Sequence, residues 1–197
     1  MQFARGFKAK ANKTAVDLRR DLGLRPEAPL DPWRICEHFD ITVIPLSALR
    51  GPANEVVGRH FLAVETGVFS AITVCRGMQR AIVHNDRHAK VRQRSNLMHE
   101  IAHALLGHRA TPLLTGDGER MFDQLIEAEA QFLGGALLIP NEAAAHIVRN
   151  RLQQTAALDY GVSPKMLAYR LGISGALRIA QRSDQMWARR VRGSVAQ

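Results

Sequence analysis

The chain has 197 residues, 46% of them hydrophobic, enough to bury one core unaided, and only two cysteines, Cys36 and Cys75, with no C-x-x-C pair. A disulfide scaffold and a cysteine-based zinc finger are therefore excluded, and a reducing cytoplasm is the expected setting. The formal charge is +9, its excess of Lys and Arg lying mainly in residues 1–94, which favours encounter with nucleic acid or an acidic protein but identifies neither.

The opening MQFARGFKAKANKT carries positive charge with no apolar run behind it, and no window approaches 18 uninterrupted apolar residues, so neither secretion nor membrane spanning is expected. Phe7 to Leu22 places Ala11, Ala15, Leu18 and Leu22 at helical spacing, and Gly23 with Pro26 stops the pattern. A short helix is expected after Asp31, with Pro32 in its first position and Trp33, Ile35, Cys36 and Phe39 on its apolar side. The period then changes. ITVIPL, RHFLAVE, VFSAITV and RAIVHN are short, rich in β-branched residues and separated by Gly51, Pro52, Gly67 and Gly77, which predicts a small sheet of three or four strands.

A central helix is expected from near Ser95 to Gly107 or His108, with Met98, Ile101, Ala102, Leu105 and Leu106 on its buried side. After the loop ATPLLTGDGER, the next helix should run from about Arg120 to Leu138 and stop before Pro140. The tail ALDYGVSPKMLAYRLGISG reads as a helix, a Gly161-Val162-Ser163 turn and a second helix opened by Pro164, a spacing compatible with helix-turn-helix. Its simpler reading is two helices completing the domain, with Lys165, Arg170, Arg178, Arg182, Arg189, Arg190 and Arg192 facing water. The expected fold class is α+β: one compact domain over 1–197 with N-terminal helices, a small mixed sheet, a helix pair, and C-terminal helices forming an extension over 141–197.

The chemistry concentrates in LMHEIAHALLGH, residues 97–108, which contains His-Glu-x-x-His. Four positions apart on a helix, His99 and His103 face the same way and can share a metal, while Glu100 can address water as a general base. Two ordinary histidines beside an acid is the bland alternative. A catalytic metal needs a third protein ligand, and Glu127 and Glu129 compete for that place. Helical phase sets Glu129 within the apolar side made by Phe122, Leu125, Ile126, Phe132, Leu133 and Ala136, with Glu127 turned away from it. Glu127, however, is followed by Gln131, an amide able to hydrogen-bond a histidine ligand, and by Gly134, which permits close helix approach. The residues alone leave both open.

Other candidates are more diffuse. His108 lies one place short of the third histidine of HExxHxxGxxH, so it is expected at a helix end or on the surface. His60, His84, Tyr160 and Tyr169 are candidate oxyanion stabilisers. RAIVHN, especially Ile82, Val83, His84 and Asn85, is a candidate edge strand for holding an extended substrate. Arg92 and Arg94 are expected to form a solvated positive patch, and Cys36 and Cys75 to be buried apolar residues.

MHEIAHALLGH followed by IEAEAQFLGGALLIP resembles the ImmA/IrrE family of zinc metallopeptidases, whose pattern is HExxH, then E-x-x-x-N/D and an apolar stretch ending Leu-Leu-Met-Pro. The resemblance implies zinc ligands His99, His103 and Glu127, with Glu100 as general base; with Glu127 as the ligand, Glu129 is expected in a buried polar role that requires a partner for its carboxylate. Gln131 stands where the family has Asn or Asp, Ser95 where an aromatic residue is common, and Leu137-Leu138-Ile139-Pro140 matches the terminal stretch. The implied activity is a zinc endopeptidase acting on a protein, with helix-turn-helix repressors of stress responses or mobile elements as candidate substrates. The competing reading is a noncatalytic regulator that binds DNA or a repressor.

Overall fold

The computed structural model describes residues 3–49, 69–77, 79–108 and 123–194. The expected strand RHFLAVE with His60, and the loop ATPLLTGDGER, lie outside these residues. Helix α1, Phe7–Asp21, buries Phe7, Ala11, Ala15 and Leu18, the side that its periodicity predicts. Helix α2, Pro32–His38, opens on Pro32, where a missing N–H costs nothing, and buries Ile35 and Cys36 while Phe39 stays exposed.

Strands β1 (Thr42–Pro45), β2 (Ala71–Arg76) and β3 (Gln79–His84) form a sheet in the order β1-β3-β2, with β3 parallel to β1 and antiparallel to β2. Thus β3 is central. Its residue Ile82 pairs with Val43 on one side and Thr73 on the other, so the expected edge strand Ile82 to Asn85 has no free backbone edge to offer a substrate. Ile82, Val83, His84 and Asn85 are all buried. The near-continuous apolar run of RAIVHN marks a strand covered on both faces. Asn85 closes that strand: its backbone N–H donates to the Ser70 carbonyl, its amide donates to the Phe69 carbonyl, and its Oδ1 accepts from the Arg87 N–H.

Helix α3, Lys90–Leu106, starts more than a turn before the expected Ser95. Its first residues are mostly polar, so apolar periodicity does not register them; instead, buried Gln93 ties the start down by donating to the Asp86 and His88 carbonyls. Gly107, at φ 70, ends the helix in the left-handed conformation that a side chain rarely tolerates. Helix α4 is Gln124–Leu138 and starts later than Arg120, because extended Asp123 caps it and accepts from the Leu125 and Ile126 N–H groups. Gly134 brings the two helices together. A Cβ there would lie 3.3 Å from the Met98 carbonyl oxygen and 3.5 Å from His99 Cα.

Four further helices follow: α5 (Asn141–Arg149), α6 (Ala156–Asp159), α7 (Pro164–Ile173) and α8 (Ala176–Ser194). A single α+β core runs from Phe7 through Ile101 and Leu133 to Leu171 and Ala176, so the tail helices pack onto the same apolar mass as α3 and α4. The helix-turn-helix spacing resolves into a one-turn α6 and an α7 that buries Leu167 and Leu171. Arg170 does not face water as expected. It turns inward and donates to the Ile139 carbonyl at 2.8 Å and to Asn141 Oδ1 at 3.3 Å.

A second inward arginine meets the same point. Arg19 is 0% exposed and donates to the carbonyls of Leu137 (2.8 Å), Ala28 (2.8 Å) and Ala15 (2.9 Å). The carbonyl end of α4 has acceptors with no partner inside the helix and a partial negative charge, and two guanidinium groups satisfy both needs. Burial pulls each arginine down to about 10, still charged at neutral pH. Arg19→Met should therefore lower unfolding free energy by about 2 kcal/mol, because a charged donor is lost while its acceptors stay buried. Urea unfolding measures this; a midpoint equal to that of the parent would deny Arg19 the role.

Candidate metal centre

His99 and His103 lie one turn apart on α3, and Glu127 faces them from the first turn of α4. His99 Nε2 is 3.1 Å from Glu127 Oε2 and 3.1 Å from His103 Nε2, and His103 Nε2 is 3.7 Å from Glu127 Oε1. Zinc bonds of about 2.0–2.1 Å in a tetrahedron place ligand atoms roughly 3.3 Å apart, so these spacings fit one ion shared by all three. The donor set also fits. Two imidazoles and one carboxylate are a recurrent catalytic zinc set that leaves a fourth position for water or substrate. Burial, reinforced by the His99 ring, pushes His103 down to about 4, which keeps its imidazole neutral with a lone pair to give. Among the described residues, His99, His103 and Glu127 form a cluster able to hold a metal ion.

Glu129 lies outside this cluster. Its Oε2 is 3.5 Å from His108 Nε2, which supplies the partner that a half-buried carboxylate requires. Glu100, between the two histidines in sequence, faces the sheet, where its Oε2 accepts a hydrogen bond from Thr73 Oγ1 at 2.6 Å.

A family model for the IrrE N-terminal-like domain, Peptidase M78, matches residues 36–172. The chain belongs to this family. The match extends from Cys36 in α2 to Gly172 in α7 and contains the whole His99, His103 and Glu127 cluster, so the metal-binding geometry sits inside a metallopeptidase-family domain. No curated protein gives a significant match to the chain.

Within this Peptidase M78 domain the remaining candidates disperse. Gln131 is exposed and, among the described residues, donates to neither histidine. It shares the face of Glu127, one turn further along α4, but its side chain lies in solvent. His84 is 4% exposed, set edge-on against Trp33, and has no opening through which to meet a substrate carbonyl. Tyr160 is buried and its hydroxyl donates to the Glu27 carbonyl at 2.6 Å. Tyr169 rests over α4 at Gly135, eight residues from Glu127 and so about 12 Å along the helix. None of these three tyrosine and histidine side chains reaches the cluster, and His60 is outside the described residues.

Arg94 is not a solvated patch. It latches α3 to the start of α2, donating to Asp31 Oδ1 and the Leu30 carbonyl, each at 2.9 Å, while Arg92 donates to Ser70 Oγ at 3.4 Å. Cys36 is buried, and burial pushes its thiol up to about 12, so it is unreactive. Cys75, in contrast, is exposed on β2, one of the two outer strands among the described residues.

Thr73 and His108 are the side chains that sequence reasoning failed to bring to the site. Nothing in VFSAITV distinguishes Thr73 from its neighbours, because its position beside Glu100 follows from strand pairing. His108 did carry a signal. Gly107 folds the chain back so that the His108 N–H donates to the His103 carbonyl at 3.0 Å, and the two imidazole Nδ1 atoms also lie 3.0 Å apart.

Proposed function

We propose that the protein is a zinc-dependent endopeptidase of the cytoplasm whose substrate is a transcriptional repressor of the helix-turn-helix kind. The observation that carries the enzymatic part is the convergence of His99, His103 and Glu127 at the edge lengths of a tetrahedral ion, within a domain of the Peptidase M78 family. The repressor rests on the likeness of the paired motifs to those of ImmA/IrrE proteins. No helix among the described residues is long and apolar enough to cross a membrane.

Zinc held by the three ligands would supply Lewis acidity toward the attacking water and the scissile carbonyl. Glu100, next to His99 in the chain, takes the water's proton and delivers it to the leaving amine, a transfer suited to a carboxylate. Thr73 donates to one Glu100 oxygen, which leaves the other free of that bond to take a proton. Thr73→Val, nearly isosteric, should therefore reduce kcat about tenfold, the worth of one hydrogen bond to a charged group, with KM and zinc content unchanged. A parent-like kcat would leave Thr73 a packing residue only.

The inward Arg170 counts against the rival reading of a DNA-binding regulator, since it withdraws a basic residue from the helix that would enter a groove. The test incubates the purified protein with a panel of purified helix-turn-helix repressors and with denatured casein. Expected are fragments from one defined repressor bond when zinc is present, none after chelation, and recovery on adding zinc back. Intact repressors together with tight, sequence-specific duplex binding would give the place to the regulator.

A further inference from the structure

We propose that His108 and Glu129 are positioning residues that hold the His103 imidazole in one orientation and one tautomer for metal binding. The inference rests on the reading of His99, His103 and Glu127 as a metal site, and it assigns work to two side chains outside that ligand set.

The geometry runs outward from the cluster in a single file. His103 turns Nε2 toward His99 and Glu127, so a proton on that ring belongs on Nδ1. His103 Nδ1 lies 3.0 Å from His108 Nδ1, a hydrogen-bond distance, with the rings 5.1 Å apart and set edge to face. If His103 Nδ1–H donates, His108 Nδ1 must accept, and the His108 proton is then on Nε2. That nitrogen faces Glu129 Oε2 at 3.5 Å, and the His108 and Glu129 side chains are 11% and 20% exposed. The His103 proton thus has one direction, to His108, and the His108 Nε2 proton lies within ion-pair range of a carboxylate. A carboxylate at the end of such a file makes the ligand nitrogen a better donor and fixes the plane of its ring.

Backbone structure builds the arrangement. His108 would project elsewhere if α3 continued; Gly107 at φ 70 terminates it, and the His108 N–H caps the His103 carbonyl. The imidazole is thus held to His103 twice, once by main chain and once by side chain. Glu129 comes from α4, so the file also ties both helices of the site together through a contact independent of the ion.

The test measures zinc affinity of the full chain by competition with a fluorescent chelator, and the visible absorption of the cobalt form. His108→Phe keeps a ring but removes the acceptor, and should weaken zinc binding by about 10–100-fold and alter the cobalt spectrum. His108→Gln, whose amide oxygen can accept from His103 Nδ1–H, should restore affinity to within a few fold of the parent. Glu129→Gln should weaken binding less than His108→Phe, and the double variant should equal His108→Phe alone, because Glu129 acts only through His108. Thermal unfolding of the metal-free His108→Phe protein, if parent-like, separates positioning from folding. The proposal is overturned if His108→Phe binds zinc like the parent, if Gln and Phe at 108 are equally damaging, or if the single losses multiply in the double variant. A parent protein that binds no zinc would overturn the metal-site reading and this inference together, whereas tight zinc binding by the parent and every variant removes the inference alone.

Discussion

Glu100→Gln is expected to reduce peptide hydrolysis by about 10²–10⁴-fold while zinc affinity stays that of the parent. Two features of the site separate these effects. The Glu100 carboxylate is not among the three converging donors, so its loss leaves the cluster His99, His103 and Glu127 whole. Glutamine also retains a carbonyl oxygen to accept from Thr73 Oγ1, so the 2.6 Å contact that fixes the side chain can persist. What disappears is the capacity to take a proton. The drop should therefore appear in kcat, with zinc content by elemental analysis close to one ion per chain in both proteins. Unchanged cleavage would remove Glu100 from the role of base, and loss of zinc would show that it serves the ligands instead.

Which parts of this site the sequence discloses depends on the range of the interactions that build them. His99, Glu100 and His103 are legible because their relation is local: positions four apart on one helix must share a side. The third ligand is different. Apolar periodicity in α4 favours Glu129, but from Phe132 to Leu138 the helix is buried almost all round, so its apolar pattern marks the general core rather than the narrow contact with α3. That contact runs along Glu127 and Gly134, seven residues apart and thus on one side, with the glycine set against Met98 and His99.

The misplacements share a physical origin. Ile82 to Asn85 read as an edge because a strand's neighbours are fixed by pairing, which the sequence of the strand does not encode. The offset of His108 has meaning only in a continuing helix, whereas the chain leaves the helix at Gly107 and doubles back. The beginning of α3 is not legible because a polar first turn carries no apolar period. Arg19 and Arg170 were unreadable as buried groups, since charge predicts exposure unless the carbonyl end they serve is already known.

Substitution at position 127 should separate the two glutamates decisively. Structural zinc sites with four protein ligands bind with roughly 10–16 kcal/mol, or about 3 kcal/mol per ligand, so Glu127→Ala should weaken zinc binding by on the order of 100-fold or more. Its cost to folding should be small, because the side chain is 37% exposed and lies in the first turn of α4. Glu129→Gln should lose much less, since that residue's carboxylate meets His108 and no cluster nitrogen. Chelator competition on both variants, with urea unfolding alongside, gives the comparison. Loss confined to the 129 variant would move the ligand one turn-fraction along α4, against the 3.1 Å approach of Glu127 to His99. Equal, small losses in both would leave two histidines holding the ion, an arrangement too weak to survive dilution, and would point to a third donor not yet placed at the site.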